Sequence, residues 1–412
     1  MVPKGWRFCK LADISRVTSG GTPNRAISEY WQNGTIPWIR TTEVQNCILQ
    51  PEDAKEYISE LGLRKSSAKL IPENTILLAM IGQGKTRGQI ALLKFEAAIN
   101  QNCAAIIFGK SQEPEFYYHY LLSQYENIRN LSNSAGQSNL SGALVKAINV
   151  LVPPYNEQKK IAQILSTWDK AISVTEKLLT NSQQQKKALM QQLLTGKKRL
   201  LDENGVRFST VWEFKRISEI ATRVQRKNDA AEHPILTISS LSGFVRQDER
   251  YSRYMAGESV KNYILLKKGE FAYNKGNSKT YEFGCIFDLE AYEAGLVPHV
   301  YVCFRLKNGL SHRYFKYLFE ADYLKPQLGA LVNTGVRNNG LLNIKPTEFM
   351  QTKVPVPCFE EQESIADMLY NSSRTIRVLQ DKLACLKDEK KALMQQLLTG
   401  KRRVKVDEAV AV

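Results

Sequence analysis

Polar, glycine-rich segments between apolar runs carry the side chains best suited to bind another molecule. Asn and Gln can pair with an adenine edge through two hydrogen bonds, Arg and Lys can pair with guanine, and glycine lets the backbone approach a phosphate. We therefore predict DNA contacts from these segments. The same residue types also favour ordinary solvated hairpin turns, so that alternative stays open. The candidate residues are Gln83, Lys85, Thr86, Arg87, Asn100, Gln101, Asn102, Asn274, Lys275, Asn277, Ser278, Lys279, Arg337, Asn338 and Asn339.

One of these segments also resembles a nucleotide-binding loop. Ala79–Thr86 fits a relaxed phosphate-loop pattern and follows an apolar run that predicts a strand. A phosphate loop leads into a helix, however, whereas Gly88–Leu93 has the composition of the return strand of a hairpin. We find no later strand that ends in a convincing Mg²⁺-binding Asp. The sequence therefore disfavours an ATPase.

Catalytic and metal-binding patterns are missing from the sequence. Pro153–Tyr155 resembles the Pro-Pro-Tyr core of amino methyltransferases, but Val152 stands where an Asn or Asp must accept the target amino proton. We find no glycine-rich strand-to-helix turn for a methyl donor, and no set of nucleophile, base and orienting group. The four histidines lack ligand spacing. We predict no catalytic residue and no metal site; the histidines are His119, His233, His299 and His312.

An internal duplication supplies the elements that must position the polar segments. Lys186–Lys197, KKALMQQLLTGK, recurs letter for letter as Lys390–Lys401, 204 positions later. A weaker echo relates Trp6–Ile14 to Trp212–Ile220. A period of this length is far too long for a solenoid, so the repeat unit is a whole domain with an attached element. The same offset of 204 extends upstream through matching Val-x-Val-Pro and Glu-Gln-x-x-Ile-Ala motifs, which begin at Val150 and Val354 and at Glu157 and Glu361.

Each copy of the repeat predicts a long helix. Prolines precede each run, and Gly196 and Gly400 follow the last apolar turn, where a left-handed residue closes a helix. A helix over Glu157–Thr195 would be about 58 Å long at roughly 1.5 Å per residue. The apolar positions step by three and four, which is a heptad seam. The predicted helix-pairing residues are Ile161, Leu165, Trp168, Ile172, Leu179, Leu189 and Leu193 in the first copy and Ile365, Leu369, Ile376, Leu379, Leu383, Leu386, Leu393 and Leu397 in the second.

A helix with such a stripe needs a partner. We expect the two copies to pair as an antiparallel two-stranded coil, because one globular domain between them lets the second helix return along the first. The alternative is two separate amphipathic helices, each lying on its own domain. Polar residues within the seam should weaken the coil locally or fix its register; they are Thr175, Ser182, Lys186, Ser372 and Lys390.

The regions between the repeats predict two domains of one style. Residues 15–150 and 221–352 each contain short apolar strands and one helix, although their sequences do not match. The predicted strands include Ile36–Ile39, Thr75–Ile81, Ile90–Leu93 and Ala104–Phe108, then Ile235–Ile238, Glu270–Tyr273, Gly284–Phe287 and Val300–Leu306; the helices lie near Pro114–Arg129 and Ser311–Tyr323. We predict an α+β fold in which two mixed globular domains alternate with the two paired helices, related by a pseudo-twofold repeat.

Composition supports an intracellular protein with a polyanionic partner. The chain has 412 residues, a formal net charge of +16 and a pI near 9.4, and a surplus of this sign favours nucleic acid while leaving anionic lipid and RNA open. Seven cysteines without CxxC spacing favour reduced thiols. We see neither a secretion signal nor an apolar run of the roughly 18 residues that a membrane span requires. We expect the chain to stay in the cytoplasm, away from membranes.

The alternation of two variable regions with two nearly identical helices ending in LLTGK resembles the specificity subunits of type I restriction-modification systems. The resemblance covers essentially the whole chain. Ser19–Pro23, Tyr30-Trp31 and Ile36–Trp38 resemble a common opening of their target-recognition domains. The second variable region lacks that opening. The resemblance implies target-recognition domains at residues 1–152 and 201–356, conserved helices at 153–200 and 357–404, and a tail at 405–412.

The resemblance implies that each variable domain reads one half of a split target in double-stranded DNA and that the helices set the unread gap. It also implies two modification (methyltransferase) subunits and ATP-dependent restriction subunits as partners. S-adenosylmethionine, ATP and Mg²⁺ would belong to those partners, and no cofactor to this chain. Two alternatives stay open: a methyltransferase or nuclease with fused specificity domains, and a coiled-coil assembly scaffold that does not touch DNA.

Overall fold

The protein forms two compact units. The structure, a computed structural model, describes residues 2–82, 84–134, 139–229, 232–250, 257–276, 278–332 and 342–406. Unit 1 combines Met1–Glu176 with Asp381–Val412, and unit 2 is Lys177–Gln380. Each unit therefore contains the first half of one long helix and the second half of the other.

Unit 1 is built on two sheets and a two-stranded ribbon. Its strands are β1 (Arg7–Lys10), β2 (Ser15–Ser19), β3 (Ile36–Ile39), β4 (Cys47–Leu49), β5 (Glu56–Ile58), β6 (Leu70–Ile71), β7 (Thr75–Ala79), β8 (Ile90–Leu93), β9 (Ala97–Ile99), β10 (Cys103–Phe108) and β11 (Asn149–Val152). The larger sheet has the order β2-β10-β7-β8-β4 and the smaller one β5-β3-β9-β6, while β1 pairs with β11.

The central strands of the larger sheet are buried on both faces. Along β7, Ile76 and Leu78 belong to one apolar cluster, whereas Leu77 and Ala79 belong to another. Successive side chains of a strand point to opposite faces, so a strand between two cores must be apolar at nearly every position. This explains the unbroken apolar runs of β7 and β8.

The helices of unit 1, of which α2 and α4 contact this sheet, precede the first long helix. They are α1 (Glu60–Arg64), α2 (Pro114–Ser123), α3 (Tyr125–Ser134), α4 (Gly142–Lys146) and the long α5 (Tyr155–Leu193). The single helix predicted near Pro114–Arg129 is wrong, because the helix breaks at Gln124. The Ser123 hydroxyl donates to the carbonyl of Tyr120 at 2.6 Å, which is the kind of local bond that competes with helix propagation.

Unit 2 repeats the central architecture of unit 1. Its strands are β12 (Glu213–Arg216), β13 (Ala221–Val224), β14 (Leu236–Ser239), β15 (Gly243–Arg246), β16 (Ile264–Lys267), β17 (Phe271–Asn274), β18 (Cys285–Asp288), β19 (Ala294–Val297), β20 (Val302–Leu306) and β21 (Lys353–Val356). The sheet order β13-β20-β17-β18 matches β2-β10-β7-β8, and the ribbon β12-β21 matches β1-β11. The pairs β14-β15 and β16-β19 complete the strands.

The helices of unit 2 occur in an order along the chain that is similar to that of unit 1. They are α6 (Ile217–Ile220), α7 (Gln247–Arg250), α8 (His312–Glu320), α9 (Lys325–Leu331), α10 (Pro346–Met350) and the long α11 (Phe359–Leu397). An aromatic core fills the space under the sheet, with the Phe271 and Phe304 rings stacked 5.4 Å apart and Tyr273 stacked on Phe349 at 4.5 Å. The predicted α+β class is confirmed.

The two long helices have equal lengths of 39 residues, and the first begins at Tyr155, two residues earlier than the predicted Glu157. Both are closed by a left-handed glycine, Gly196 with φ +70° and Gly400 with φ +68°. The predicted seam follows the less exposed stripe of each helix. Its buried positions are Ile161, Leu165, Leu193, Ile365, Leu369 and Leu397, and its half-buried positions are Trp168, Ile172, Leu179, Leu189, Ile376, Leu379, Leu383, Leu386 and Leu393.

Within unit 1 the two helix segments run antiparallel. Asp169 of α5 accepts a hydrogen bond from the ammonium group of Lys390 of α11, and Glu176, about two turns further along α5, lies 2.7 Å from Lys387. Advancing along one helix therefore means going back along the other. Ile161 and Leu165 share an apolar cluster with Leu397 and with side chains of the globular domain.

Within unit 2 the corresponding halves pack in the same way. Leu193 and Met190 of α5 lie in one apolar cluster with Ile365 and Leu369 of α11. The cluster also contains the aromatic side chains under the unit 2 sheet. In each unit, then, the beginning of one long helix and the end of the other complete the core of the same globular domain.

Candidate nucleic-acid interface

Two candidate segments of unit 1 meet at one end of the larger sheet. Ala79, the last residue of β7, lies opposite Cys103, the first residue of β10. One residue further, the backbone N–H of Met80 donates to the carbonyl of Asn102 at 2.9 Å. The Gly82–Gly88 loop after β7 and the Asn100–Asn102 turn before β10 are therefore neighbours.

The Gly82–Gly88 loop is a hairpin connection and not a phosphate loop. It joins β7 to β8, which pair antiparallel, and no helix follows it. The loop is fixed from outside, because the carbonyl of Lys85 accepts the Tyr125 hydroxyl of α3 at 2.6 Å, and Arg129 donates to the same hydroxyl at 3.0 Å. The Lys85 side chain stays exposed, while Thr86 and Arg87 are half-buried. The predicted candidate Gln83 lies outside the described residues.

The Asn100–Asn102 turn presents one of its three predicted side chains to solvent. Asn100 is only 8% exposed, and its Oδ1 accepts the backbone N–H of Asn102 at 3.2 Å. That side chain shapes the turn rather than facing outward. Gln101 is exposed, and Asn102 is half-buried.

The opening motif of the chain packs directly on this turn. The backbone N–H of Gly21 donates to the Ile99 carbonyl at 2.9 Å, and the Trp38 indole donates to the Gly21 carbonyl at 3.0 Å. A Cβ on Gly20 would lie 1.9 Å from the Ile99 carbonyl oxygen, so the approach requires glycine. The Thr22 hydroxyl then donates to Oε1 of Gln101. Sequence reasoning noted the motif but gave Thr22 no role.

The corresponding segment of unit 2 follows β17. The Oδ1 atom of Asn274 accepts the backbone N–H of Gly276 at 2.9 Å, and the backbone N–H of Ser278 donates to the Tyr281 carbonyl at 2.9 Å. Lys275 is half-buried, and Lys279 is exposed. The remaining predicted candidates of this unit lie outside the described residues: Asn277, Arg337, Asn338 and Asn339.

A second feature, missed by sequence reasoning, joins the two ends of the repeat. In unit 2 the Arg199 guanidinium donates twice to the buried carboxylate of Glu361, from Nε at 2.6 Å and from Nη2 at 2.7 Å. The Trp212 indole donates to the same carboxylate at 2.8 Å. The Glu361 carboxylate raises the pKa of Arg199. We call this group of three residues the unit 2 clasp.

Unit 1 contains the same arrangement at positions of the repeat. Arg403 donates to both carboxylate oxygens of Glu157, one of them at 2.9 Å from Nε, and the Trp6 indole donates at 3.3 Å. We call Arg403, Glu157 and Trp6 the unit 1 clasp. Each clasp connects the start of one long helix to the segment after the end of the other. In the sequence, the arginines and glutamates of the two clasps could be recognised only because each recurs at an offset of 204. The paired arginine and glutamate are 162 residues apart in the unit 2 clasp and 246 residues apart in the unit 1 clasp.

The glutamine that follows each clasp glutamate positions a domain helix. Gln158 accepts the backbone N–H of Glu113, which precedes α2, at 2.9 Å, and Gln362 accepts that of Ser311, which precedes α8, at 2.9 Å. Both side chains are nearly fully buried. A free N–H at a helix start needs an acceptor, and these glutamines provide it. The repeated Glu-Gln motif therefore ties each globular domain to its long helix.

Comparisons with known proteins show what this chain is similar to. The family model described as the type I restriction modification DNA specificity domain matches residues 3–181. The Escherichia coli type I restriction enzyme EcoR124I/EcoR124II specificity subunit is 30% identical over 174 residues, which are 41% of this chain and 42% of that protein. The chain is similar to the specificity subunits of type I restriction-modification systems.

Other specificity subunits match along the whole chain. The Methanocaldococcus jannaschii MjaVIII specificity subunit is 24% identical over 98% of this chain and 94% of that protein. The crystal structure of a type I restriction-modification S subunit from M. genitalium aligns with a TM-score of 0.58 at 13% identity and covers 96% of both chains. That likeness shows the shared fold. The alignment with the EcoR124I/EcoR124II protein, in contrast, spans less than half of that relative.

Within the described ranges, no three His, Cys, Asp or Glu side chains are placed to hold a metal ion together. None of the helices in the part of the chain that the structure describes is both long and apolar enough to cross a membrane. All seven cysteines are free thiols.

Proposed function

We propose that the chain is the non-catalytic DNA-recognition subunit of a type I restriction-modification complex. Each globular domain reads one half of a bipartite target in double-stranded DNA. The observation that carries the proposal is the duplicated sheet order with polar loops after the equivalent central strands, β7 and β17. Two domains with the same sheet order and different loops are suited to bind DNA in the same way while recognising two different base sequences.

The proposed reading segments are the loops that lie at those strand ends. In the first domain they are Gly82–Gly88 and the turn that presents Gln101, and in the second the segment from Asn274 to Lys279. Lys85 and Lys279 are exposed, as a group that reaches a base edge or a phosphate must be. The net charge of +16 supports an anionic partner. The domain limits remain those proposed from the repeat, residues 1–152 and 201–356.

The long helices are proposed to set the gap between the two half-sites. Both α5 and α11 are uninterrupted over 39 residues, and both contribute to the two units. An added helical turn between Leu178 and Gln185 would shift the ruler by about 5.4 Å. We expect such an insertion, matched by one in α11 between Lys382 and Glu389, to change the gap and not the half-sites. An unchanged gap in the methylation pattern would contradict the ruler.

The partners follow from the family. We propose that two modification subunits bind this chain and that restriction subunits join them, all in the cytoplasm where the DNA is. S-adenosylmethionine, ATP and Mg²⁺ would then be bound by those subunits. The enzyme alternative is tested with the purified chain, target DNA and a labelled methyl donor. We expect transfer only after modification subunits are added, and transfer by the chain alone would overturn the proposal.

The scaffold alternative is tested by DNA binding. The chain assembled with its modification subunits should shift a duplex that carries the methylated target, and weaker binding should follow rising salt because phosphate contacts release counterions. A scaffold would leave the duplex free at every salt concentration. Competition with a duplex in which one half-site is scrambled separates selective from general binding.

A further inference from the structure

Unit 2 carries two cationic side chains on one face of its sheet, one near the end of β13 and one just beyond the end of β17. Arg223 of β13 lies opposite Phe304 of β20, which itself lies opposite Phe271 of β17. Lys275 comes four residues after Phe271, immediately beyond the end of β17. Side chains two and four residues apart share a face of a strand, so Lys275 continues the face on which Arg223 lies.

The equivalent positions of unit 1 are apolar. Val17 of β2 lies opposite Ile106 of β10, which lies opposite Ile76 of β7, and Met80 comes four residues later. Val17 and Met80 line one cavity of about 280 Å³, together with Lys146 of α4, so both positions face the same space. Unit 1 therefore contains two apolar side chains where unit 2 contains two positive charges.

The two charges act on each other and lack a paired carboxylate. Burial and the nearby Arg223 guanidinium lower the pKa of Lys275, while Glu348 acts weakly in the opposite direction. The Glu348 carboxylate already accepts the backbone N–H of Lys345 at 2.8 Å. Among the described residues neither cation forms an ion pair, and Nε of Arg223 is buried without a hydrogen-bond partner. Partly desolvated like charges are costly unless an anion neutralises them.

We propose that Arg223 and Lys275 form a binding site for a backbone phosphate of the DNA that unit 2 recognises. This inference rests on the proposed function, because it requires that this end of the unit 2 sheet lies against the DNA duplex. A guanidinium can hold two phosphate oxygens at once, and the neighbouring ammonium adds a third donor. A phosphate contact fixes the register of the domain on the duplex without reading sequence. The adjoining segment from Asn274 to Lys279 is then held against the bases.

The test replaces each cation by the residue found in unit 1. Arg223→Val, Lys275→Met and the double variant are each assembled with the modification subunits. Binding to a 40-base-pair duplex that carries the target mapped by methylome sequencing is measured from 50 to 300 mM KCl. Lys268→Met is the matched control, because Lys268 also lies beside β17, at its other end, and is an exposed partner of Glu293.

We expect the double variant to bind about tenfold or more weakly at 150 mM KCl, and the slope of log affinity against log salt to fall by about 1 to 2. The base preferences at both half-sites should stay unchanged, and Lys268→Met should behave like the wild type. Wild-type affinity and slope in the double variant would overturn the site. An altered base preference with an unchanged slope would overturn it too, because the pair would then read bases.

Two further outcomes keep the inference separate from the function it rests on. If the wild-type complex does not select its target over a scrambled duplex, the proposed function itself fails. If the wild type selects the target but the variants match it, only the phosphate site fails. Thermal melting checks folding, and should Arg223→Val not fold, the slope measured for Lys275→Met alone decides, with an expected reduction of about 1.

Discussion

The junction between domain and long helix differs between the two units, although the helices are copies. In unit 1, the buried His119 of α2 faces α5, with Nε2 at 3.5 Å from the Ser166 hydroxyl and 3.7 Å from the Asp169 carboxylate. Lys390 of α11 donates to the same carboxylate. In this unit Lys390 is therefore paired with a carboxylate of the other long helix.

In unit 2 the charged pairs join a long helix to the domain. Lys186, the repeat counterpart of Lys390, donates to Glu320 at the end of α8 at 2.6 Å. Tyr317 lies where unit 1 has His119 and is 3.4 Å from the Ser373 hydroxyl, and Arg313 donates to Asp367 at 2.6 Å. The same repeated lysine thus finds a long-helix carboxylate in one unit and a domain carboxylate in the other.

The clasps, in contrast, use the same residue types in both units. The residues of each long helix that contact its globular domain differ between the two units. The clasp contacts, which join the start of one long helix to the segment after the end of the other, are the same in both units. The constant part of the molecule is therefore smaller than the long helices. An exchange of one domain should include the helix face that meets it, Ser166 and Asp169 in unit 1 or Tyr370 and Ser373 in unit 2.

The largest expected effect comes from breaking the clasps one at a time. Glu361 is fully buried and Arg199 is 21% exposed, whereas the unit 1 partner Arg403 is 42% exposed. We expect Glu361→Ala to lower the unfolding free energy of unit 2 by about 3 kcal/mol, and Glu157→Ala to lower that of unit 1 by about 1 to 2 kcal/mol. The difference is expected because Arg199 is less exposed to water than Arg403, so water compensates less for the loss of its carboxylate partner. Urea unfolding followed by indole fluorescence measures both.

The clasp variants have a conservative control. Glu→Gln at either position keeps an acceptor for the indole N–H and removes only the charge, so it should cost less than the alanine variant. Equal losses for Glu361→Ala and Glu157→Ala would show that shielding does not distinguish the clasps.

A smaller effect concerns acid sensitivity at the unit 1 junction. Burial and the charge of Lys390 lower the pKa of His119 from 6.5 to about 3. Below pH 6.5 the unfolded chain binds a proton that the folded chain does not, so the stability of unit 1 decreases as the pH falls from 6.5 towards 3, by up to about 1.4 kcal/mol per pH unit. The variant His119→Gln should lose this part of the pH dependence.

The matched comparison for this effect is Tyr317 in unit 2. Burial raises the pKa of Tyr317, so it stays neutral throughout the acid range. Tyr317→Phe should leave the pH dependence of unit 2 unchanged. Urea unfolding at pH 7.5 and 5.5 tests both variants, and a His119→Gln curve parallel to the wild type would contradict the account.

The smallest expected effect sharpens the difference between the reading loops. The Thr22 hydroxyl fixes Gln101 in unit 1, and a neutral hydrogen bond contributes about 1 kcal/mol. Thr22→Val should therefore reduce the preference for the first half-site about fivefold. Thr22→Ser should restore it, and the second half-site should not respond. Competition binding with duplexes altered at one half-site measures this, and equal changes at both half-sites would exclude a local role.

Much of the scaffold could be predicted from the sequence, because its helices and strands are indicated by patterns of neighbouring residues. The heptad seam predicted both long helices, the first of them to within two residues at each end, and the apolar runs predicted the buried strands β7 and β8. The break at Gln124 escaped because it depends on a local side-chain bond within an otherwise helical pattern. The matching sheet order needed the structure, since the strands of the two domains share no sequence.

The candidate interface was less accessible to sequence reasoning. Residue type identified Asn100, but only packing reveals that its side chain is buried in the turn. Thr22 and Arg223 lie beside residues that are distant in the chain, Gln101 and Phe304. Their spacing in the sequence therefore did not indicate a role for either residue. The clasps pair an arginine with a glutamate of the other repeat copy, and the duplication itself showed only that both residues recur.

The most direct test of the central claim is methylome sequencing of cells that express the chain with its partner subunits. Two chains are compared: the wild type, and a variant in which Lys85, Thr86 and Arg87 are replaced by alanine. The account predicts a bipartite target whose first half-site alone is changed or relaxed in the variant, with the second half-site and the gap preserved. A change in both half-sites, or a continuous target without a gap, would contradict it.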